Sequence, residues 1–419
     1  MDEKALKMME ERRQRIEDVI NGKEPDRVPI TAATAVWHGA YAGYTTHEVL
    51  FDFGKCKNAW LKVARDFDFD TFTVIAGLEG MIYTVAFLEQ PDISASARFI
   101  LGPTHLALQD VYSRWPGYEL EKNAHPQFIG KEIMNVSEYD QFIENPLDFI
   151  NRVAMPRINR RLSNLGSAEY NAALAKFGAE VAKFGAFMAD VSGELAKLGY
   201  PTFPMSWAYA PLDFISDFLR DIKNMVMDLY RYPDKVKEAV KAIKPLIVKA
   251  AEVSAPPKEI RKAIFGTEIV ECFFPLHLNE YLNPKLYNEF YWPSLNEVFK
   301  EVVKMGQTPF VLFEGKHDAH LETLLEAPKG KVVGVFEKTD PRKVREVLGN
   351  HVILVSGPPN SLLISGTPQK VEDFMKNLLE DCKEGGMMIW PGVDGGLSRD
   401  AKPENVKAMV EAVKKYGKY

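Results

Sequence analysis

The chain has 419 residues, 46% of them hydrophobic and 26% charged, enough for a large core and within the span of one α/β barrel carrying insertions. A net charge of −6 with scattered basic residues argues against nucleic acid as a partner, and three cysteines without CxxC spacing exclude a disulfide framework or a zinc ribbon. No run approaches 18 uninterrupted apolar residues and the charged opening segment has no apolar signal-peptide core, so a cytoplasmic chain with no membrane partner is expected.

Residues 4–20 repeat apolar side chains at helical spacing (Leu6, Met9, Ile16, Ile20), and Asn21-Gly22 stops the helix. Glu24-Pro25-Asp26-Arg27 turns into the apolar strand Val28–Thr31. Trp37, His38 and Tyr41 follow in a small-residue, aromatic loop suited to walling a pocket and stacking on a ring. A helix over Lys55–Arg65 leads to the β-branched and aromatic run Asp70–Ile75. From about 80 to 200 the regular alternation lapses into loops, short strands and a helical insertion, within what is otherwise one domain over 1–419. Inside it, Ala175-Lys-Phe-Gly, Ala182-Lys-Phe-Gly and Ala196-Lys-Leu-Gly keep Ala and Phe on one helical stripe. The stripe is too short for a sustained heptad, so packing against its own barrel is expected ahead of a coiled-coil arm that would make a homodimer.

From residue 269 strands and helices alternate at the pitch of parallel βαβ units. The strands are Ile269–Leu276, Phe310–Phe313, Lys331–Phe336, Val352–Ser356 and Gly386–Trp390. The helices are Leu286–Met305, a short Leu321–Leu325, Pro341–Leu348, Pro368–Cys382 and Pro403–Tyr416. The expected architecture is a TIM (βα)8 barrel with an N-terminal helix and a helical insertion in its first half. Barrel chemistry sits on the loops after strands. That singles out His277, Glu314, Asp340 and Asp394.

Several segments resemble the uroporphyrinogen decarboxylase superfamily, which also holds corrinoid-dependent methyltransferases. They are Arg12–Ile16 with Gly22–Pro29 at the start, Leu362-Leu363, Gly366-Thr367-Pro368, Gly385-Gly386, Pro391-Gly392 and Lys402–Met409. The resemblance implies a TIM barrel without fixing the reaction. Decarboxylases of the superfamily hold a porphyrinogen with eight carboxylates on an arginine-rich loop after the first strand. The matching stretch here, Ala33–Tyr44, has no arginine, the side chain that supplies bidentate carboxylate recognition. The coenzyme M branch binds zinc through His-x-Cys and a later Cys. Leu312, Glu314 and Val393 stand at those positions, so the thiolate-rich site is lacking.

What remains is the branch that moves a methyl group from a methoxylated, aromatic compound to the cob(I)alamin of a separate corrinoid protein. The superfamily's two other chemistries and a non-catalytic ligand-binding barrel are the alternatives. Corrinoid nucleophiles need little activation, whereas an oxygen leaving group must be protonated or bound to a Lewis acid such as zinc. His277 is the first candidate for that acid, and Glu314 the second. Both are also candidate zinc ligands. Asp340 is a third catalytic candidate, although a residue before Pro341 equally suits a helix N-cap. His317 and His320, at i, i+3, read as surface histidines ahead of a metal cluster with Glu314. Cys272, Tyr291 and Trp292 read as core, and Cys56 and Cys382 carry no signal.

Overall fold

The computed structural model describes residues 2–73 and 77–419. Val74 and Ile75, the end of the second expected strand, lie outside the described residues. Eight strands run parallel: β1 (Thr31–Ala33), β2 (Thr71–Thr73), β3 (Met205–Trp207), β4 (Glu271–Leu276), β5 (Thr308–Phe313), β6 (Val332–Phe336), β7 (Val352–Ser356) and β8 (Met387–Ile389). Strands β3 to β8 form one sheet in sequence order, and β1 pairs with β2. The parallel bridge between Ile30 and Ile389 joins β1 to β8, giving the circular order of a TIM barrel. Among the described residues no ladder joins β2 to β3. The insertion leaves and re-enters the barrel at that seam.

The five expected strands of the second half appear with ends shifted by at most two residues, and the helices Pro341–Leu348, Pro368–Cys382 and Pro403–Tyr416 match end to end. Each of the three starts on proline, whose missing N–H is not needed in a first turn. Strands β6 and β7 are buried throughout, as strands covered on both faces must be. Inside the barrel, Phe273 of β4 packs against Trp207 of β3 and Phe310 of β5, with ring centroids 5.4 and 6.4 Å away. Phe310 meets Trp390 at 5.5 Å. On the outer side of β4, Phe274 meets Phe299 of the helix Trp292–Lys304 edge-on. The expected helix there is broken near its start by a π turn over Tyr287–Tyr291. The first strand is shorter and later than its sequence suggests, because Val28 is drawn instead into a backbone bond with Gly417.

The N-terminal helix α1 (Glu3–Ile20) is fastened to the barrel base by Asp70. Its carboxylate takes two bonds from Arg27 (2.8 and 2.9 Å), one from Arg15 (3.0 Å) and one from the Ile30 backbone N–H (2.7 Å). In the insertion, the long helix α2 (Ala168–Lys197) buries the stripe Phe177, Phe184, Val191 and Leu195 against its own chain. Phe177 stacks on Tyr83, and Phe184 meets Phe99. The phenylalanine side of the stripe is therefore packed within one copy, as expected, while Ala175 and Ala182 stay exposed. Among the described residues no helix is long and apolar enough to cross a membrane.

Candidate active site

The mouth of the barrel is assembled from the ends of β3 to β6. After β3 the chain runs Ala208-Tyr209-Ala210 into a helix that starts at Pro211 and widens into a π turn over Ser216–Arg220. Asp213 and Asp217, four residues apart, lie on one face of that helix. Asp213 faces the turn after β4, accepting the backbone N–H groups of His277 (3.2 Å) and Leu278 (2.9 Å) and the Tyr291 hydroxyl (2.5 Å). Asp217 faces the ring: its Oδ2 lies 2.5 Å from His277 Nδ1 and accepts the Tyr209 hydroxyl at 2.9 Å. The other ring nitrogen, Nε2, lies 3.2 Å from Glu314 Oε1 at the end of β5. His277 is thus bracketed by two carboxylates, one on each nitrogen.

The Glu314-Gly315 turn needs its glycine. Gly315 has φ +66°, a β-carbon there would sit 2.4 Å from the Glu280 carboxylate, and its N–H donates to Glu337. Asn279 holds the turn from below, donating to the Glu314 carbonyl at 2.8 Å and lying 3.1 Å from His317 Nδ1.

These groups line a cavity of about 500 Å³. The insertion supplies Leu78, Glu79, Phe128 and Gly130 to its walls. That roof is tied down by Arg220, which bonds Glu132 and the Met134 carbonyl, and by Ile133 and Met134 N–H groups on the Leu219 carbonyl. Five carboxylates (Glu79, Asp217, Glu280, Glu314, Glu337) face the cavity against His277 and Lys338. Burial opposes a charge on His277, but Asp217 and Glu314 outweigh it and hold the imidazole well above its ordinary value of 6.5. Burial pushes Glu79 up to about 7, and burial with the nearby Asp217 charge pushes Asp213 up to about 7. Near neutral pH the site therefore holds an imidazolium as well as carboxyl groups near their midpoints.

The structure brings His277 and Glu314 together and separates the other sequence candidates from them. Asp340 is corrected to a helix cap: it is exposed, accepts the Arg342 N–H at 2.9 Å and lines no part of the cavity. Trp37, His38 and Tyr41 are also corrected, because they fold into a short helix, not a pocket loop. Trp37 is buried with its indole N–H on the Ala401 carbonyl, and Tyr41 bonds Asp66 at the surface. His38 is buried between Thr34 and Cys56, stacks on Trp60 and is pushed down to about 3 by burial. Asp394 clasps Asn360 between the loops after β7 and β8. His317 and His320 are buried beneath the turn, His320 stacked on Tyr287 and His317 edge-on to it, so they are neither surface residues nor ligands with Glu314. All three cysteines are buried.

Zinc has two of its expected ligands here and no third: among the described residues no group of three His, Cys, Asp or Glu side chains is placed to hold a metal. His277 Nε2 and Glu314 Oε1 face one space, and Asp217 on Nδ1 would orient the ring for a metal, but two donors are fewer than the three protein ligands of a catalytic zinc site. Tyr209, Asp213, Asp217 and Glu79 escaped the sequence reading. A three-residue strand such as β3 leaves no periodicity to read, and the one usable signal was a proline opening a helix after Tyr209-Ala210.

The family model for uroporphyrinogen decarboxylase (URO-D) matches residues 196–416, which takes in β3 to β8 and every cavity residue from Tyr209 on. The chain is 27% identical to human uroporphyrinogen decarboxylase over 168 residues, 39% of this chain and 44% of that one. It is 27% identical to the Danio rerio uroporphyrinogen decarboxylase over 190 residues, 44% of this chain and 48% of that one. The chain thus spans less than half the length of these curated relatives. Among solved structures it is similar to a methyltransferase from Methanosarcina mazei, with TM-score 0.59 and 15% identity, covering 97% of this chain and 98% of that one. That likeness concerns the fold.

Proposed function

The chain belongs to the uroporphyrinogen decarboxylase family, and on that premise we propose that it is a methyltransferase moving a methyl group from a methoxylated aromatic compound to the corrinoid of a separate protein. The observation that carries this reading is His277 held between Asp217 and Glu314, one carboxylate on each ring nitrogen, at the mouth of an acidic cavity of about 500 Å³. The carboxyl groups outnumber the cations His277 and Lys338 around the cavity, which disfavours a substrate that itself bears eight carboxylates, and the loop after β1 has no arginine to hold them. The cavity has the size of a small-molecule site. Phe128, Tyr209 and Tyr281 give it aromatic walls. The fold shared with the Methanosarcina mazei methyltransferase agrees with this class of reaction.

The corrinoid, when its carrier protein docks, supplies the nucleophile that accepts the methyl group. The work left to this chain is to hold the ether in line and to deliver a proton to the departing oxygen. His277 is that donor: its Nε2 proton faces the cavity beside Glu314, while Asp217 keeps Nδ1 protonated and fixes the ring plane. The proton passes to the phenolic oxygen as the methyl–oxygen bond breaks, and the imidazole is reprotonated from water through Glu314. No step needs a metal at this site.

The test combines the purified protein, a corrinoid protein reduced to the cob(I) state and a panel of methoxybenzenes, read by the visible spectrum of the corrinoid. His277→Ala is expected to lose about 10²- to 10⁴-fold in rate. A second reading, tetrapyrrole decarboxylation, is favoured by the names of the curated relatives. Coproporphyrinogen forming from uroporphyrinogen, with no corrinoid methylated by any donor, would establish it and overturn the first.

A further inference from the structure

A second cavity, of about 400 Å³, opens at the seam where β2 and β3 leave each other unpaired. It is far from empty of chemistry. Glu271, the first residue of β4, shares the inward face of that strand with Phe273 and lines the cavity. The residue is 8% exposed, and among the described residues its carboxyl has neither a hydrogen-bond partner nor an ion-pair partner. Arg98, at the start of the short strand Phe99–Ile100, also lines the cavity. Its guanidinium lies over the Trp207 ring at 4.3 Å and the Phe99 ring at 5.0 Å, and among the described residues no side chain forms a hydrogen bond or ion pair with it. Glu271 is buried and Arg98 half-buried; an ionisable group sequestered without a partner costs several kcal/mol, so an acid and a guanidinium lining one cavity ask for a ligand to satisfy them.

The cavity has its own way in. A surface groove between α1, α2 and the helix Lys258–Phe265 shares Met188, Ser192, Tyr200, Thr202 and Phe265 with it. None of the residues lining either space lines the catalytic cavity. The two polar groups do not pair with each other: the charge acting on Arg98 is that of Glu79, and no charge acts on Glu271. Between them the walls are apolar, with Phe72, Leu195, Phe203 and Val253.

We propose that the seam cavity is a second small-molecule site, whose ligand is a compact zwitterion with separated charges: a carboxylate on Arg98, an ammonium on Glu271 and a hydrocarbon frame against the apolar walls. Arg98 supplies the planar donor fork that suits a carboxylate. Burial pushes Glu271 up to about 7, so binding an ammonium there expels a proton.

Titration calorimetry of the full chain with 4-aminobutanoate, 6-aminohexanoate and 8-aminooctanoate, against hexanoate and hexylammonium, tests this. One ω-amino acid is expected to bind at least tenfold more tightly than both singly charged probes, with proton release seen as a buffer-dependent heat. Glu271→Gln should remove that advantage while leaving hexanoate binding unchanged. Ser192→Phe, which narrows the entrance, should abolish binding of all five. Equal binding of zwitterion and hexanoate, no binding of any probe, or binding that survives both substitutions overturns the proposal. Survival in both variants would place the ligand in the catalytic cavity.

Discussion

Glu271→Gln makes a quantitative prediction about stability as well. The Glu271 carboxyl is held by burial at about 7, against an ordinary value of 4.5, with no partner to compensate. The folded chain therefore keeps its proton over a range where the unfolded chain has released it. Stability from this group is fully present below pH 4.5 and is lost as pH rises to about 7, above which both states are ionised. The interval of 2.5 pH units (7 minus 4.5), at about 1.36 kcal/mol each, comes to about 3 kcal/mol. Most of it falls between pH 5 and pH 8. Glutamine has the size and the neutral charge of the protonated acid and carries no such dependence. Equilibrium urea denaturation of both proteins at pH 5 and pH 8 should show the glutamine variant gaining about 2 to 3 kcal/mol on wild type at the higher pH. A difference between the two proteins that does not change with pH would refute the placement of Glu271 as a buried, unpaired acid.

Asp217→Asn should move the alkaline limb of the kcat profile to lower pH, because the first of the two charges holding His277 protonated is gone; an unmoved limb would separate Asp217 from the site chemistry. Asp70→Ala should destabilise the chain by about 3 to 5 kcal/mol, since it leaves the Arg27 guanidinium buried without its carboxylate; thermal denaturation measures it, and a loss under 1 kcal/mol would contradict the buried pair. Burial opposes a charge on His105, yet Asp110 at 2.6 Å and Glu119 at 3.3 Å raise it above its ordinary value of 6.5. The stability it contributes is therefore complete below 6.5 and is lost as pH rises through its folded value, a dependence that Asp110→Asn should flatten in melts at pH 6 and pH 9.

The barrel's second half was legible because its units are long and local. A buried parallel strand is a run of apolar residues, and a helix that covers it opens on proline and repeats every 3.6 residues; both signals survive in one dimension. His277 and Glu314 could be found the same way, since each closes a well-marked strand. The pocket loop after β1 failed for a physical reason as well. Trp37 and His38 are small-loop aromatics by sequence, but the shortness of β1 lets the chain coil at once into a buried turn of helix. What only the tertiary structure decided is the bracketing of His277. Asp217 and Glu314 are separated from it by 60 and 37 positions and reach it from neighbouring strands. Their effect on its proton depends on through-space distance and burial, neither of which is written in the order of residues. The seam cavity is decided in the same way, by two strand edges that the insertion keeps apart.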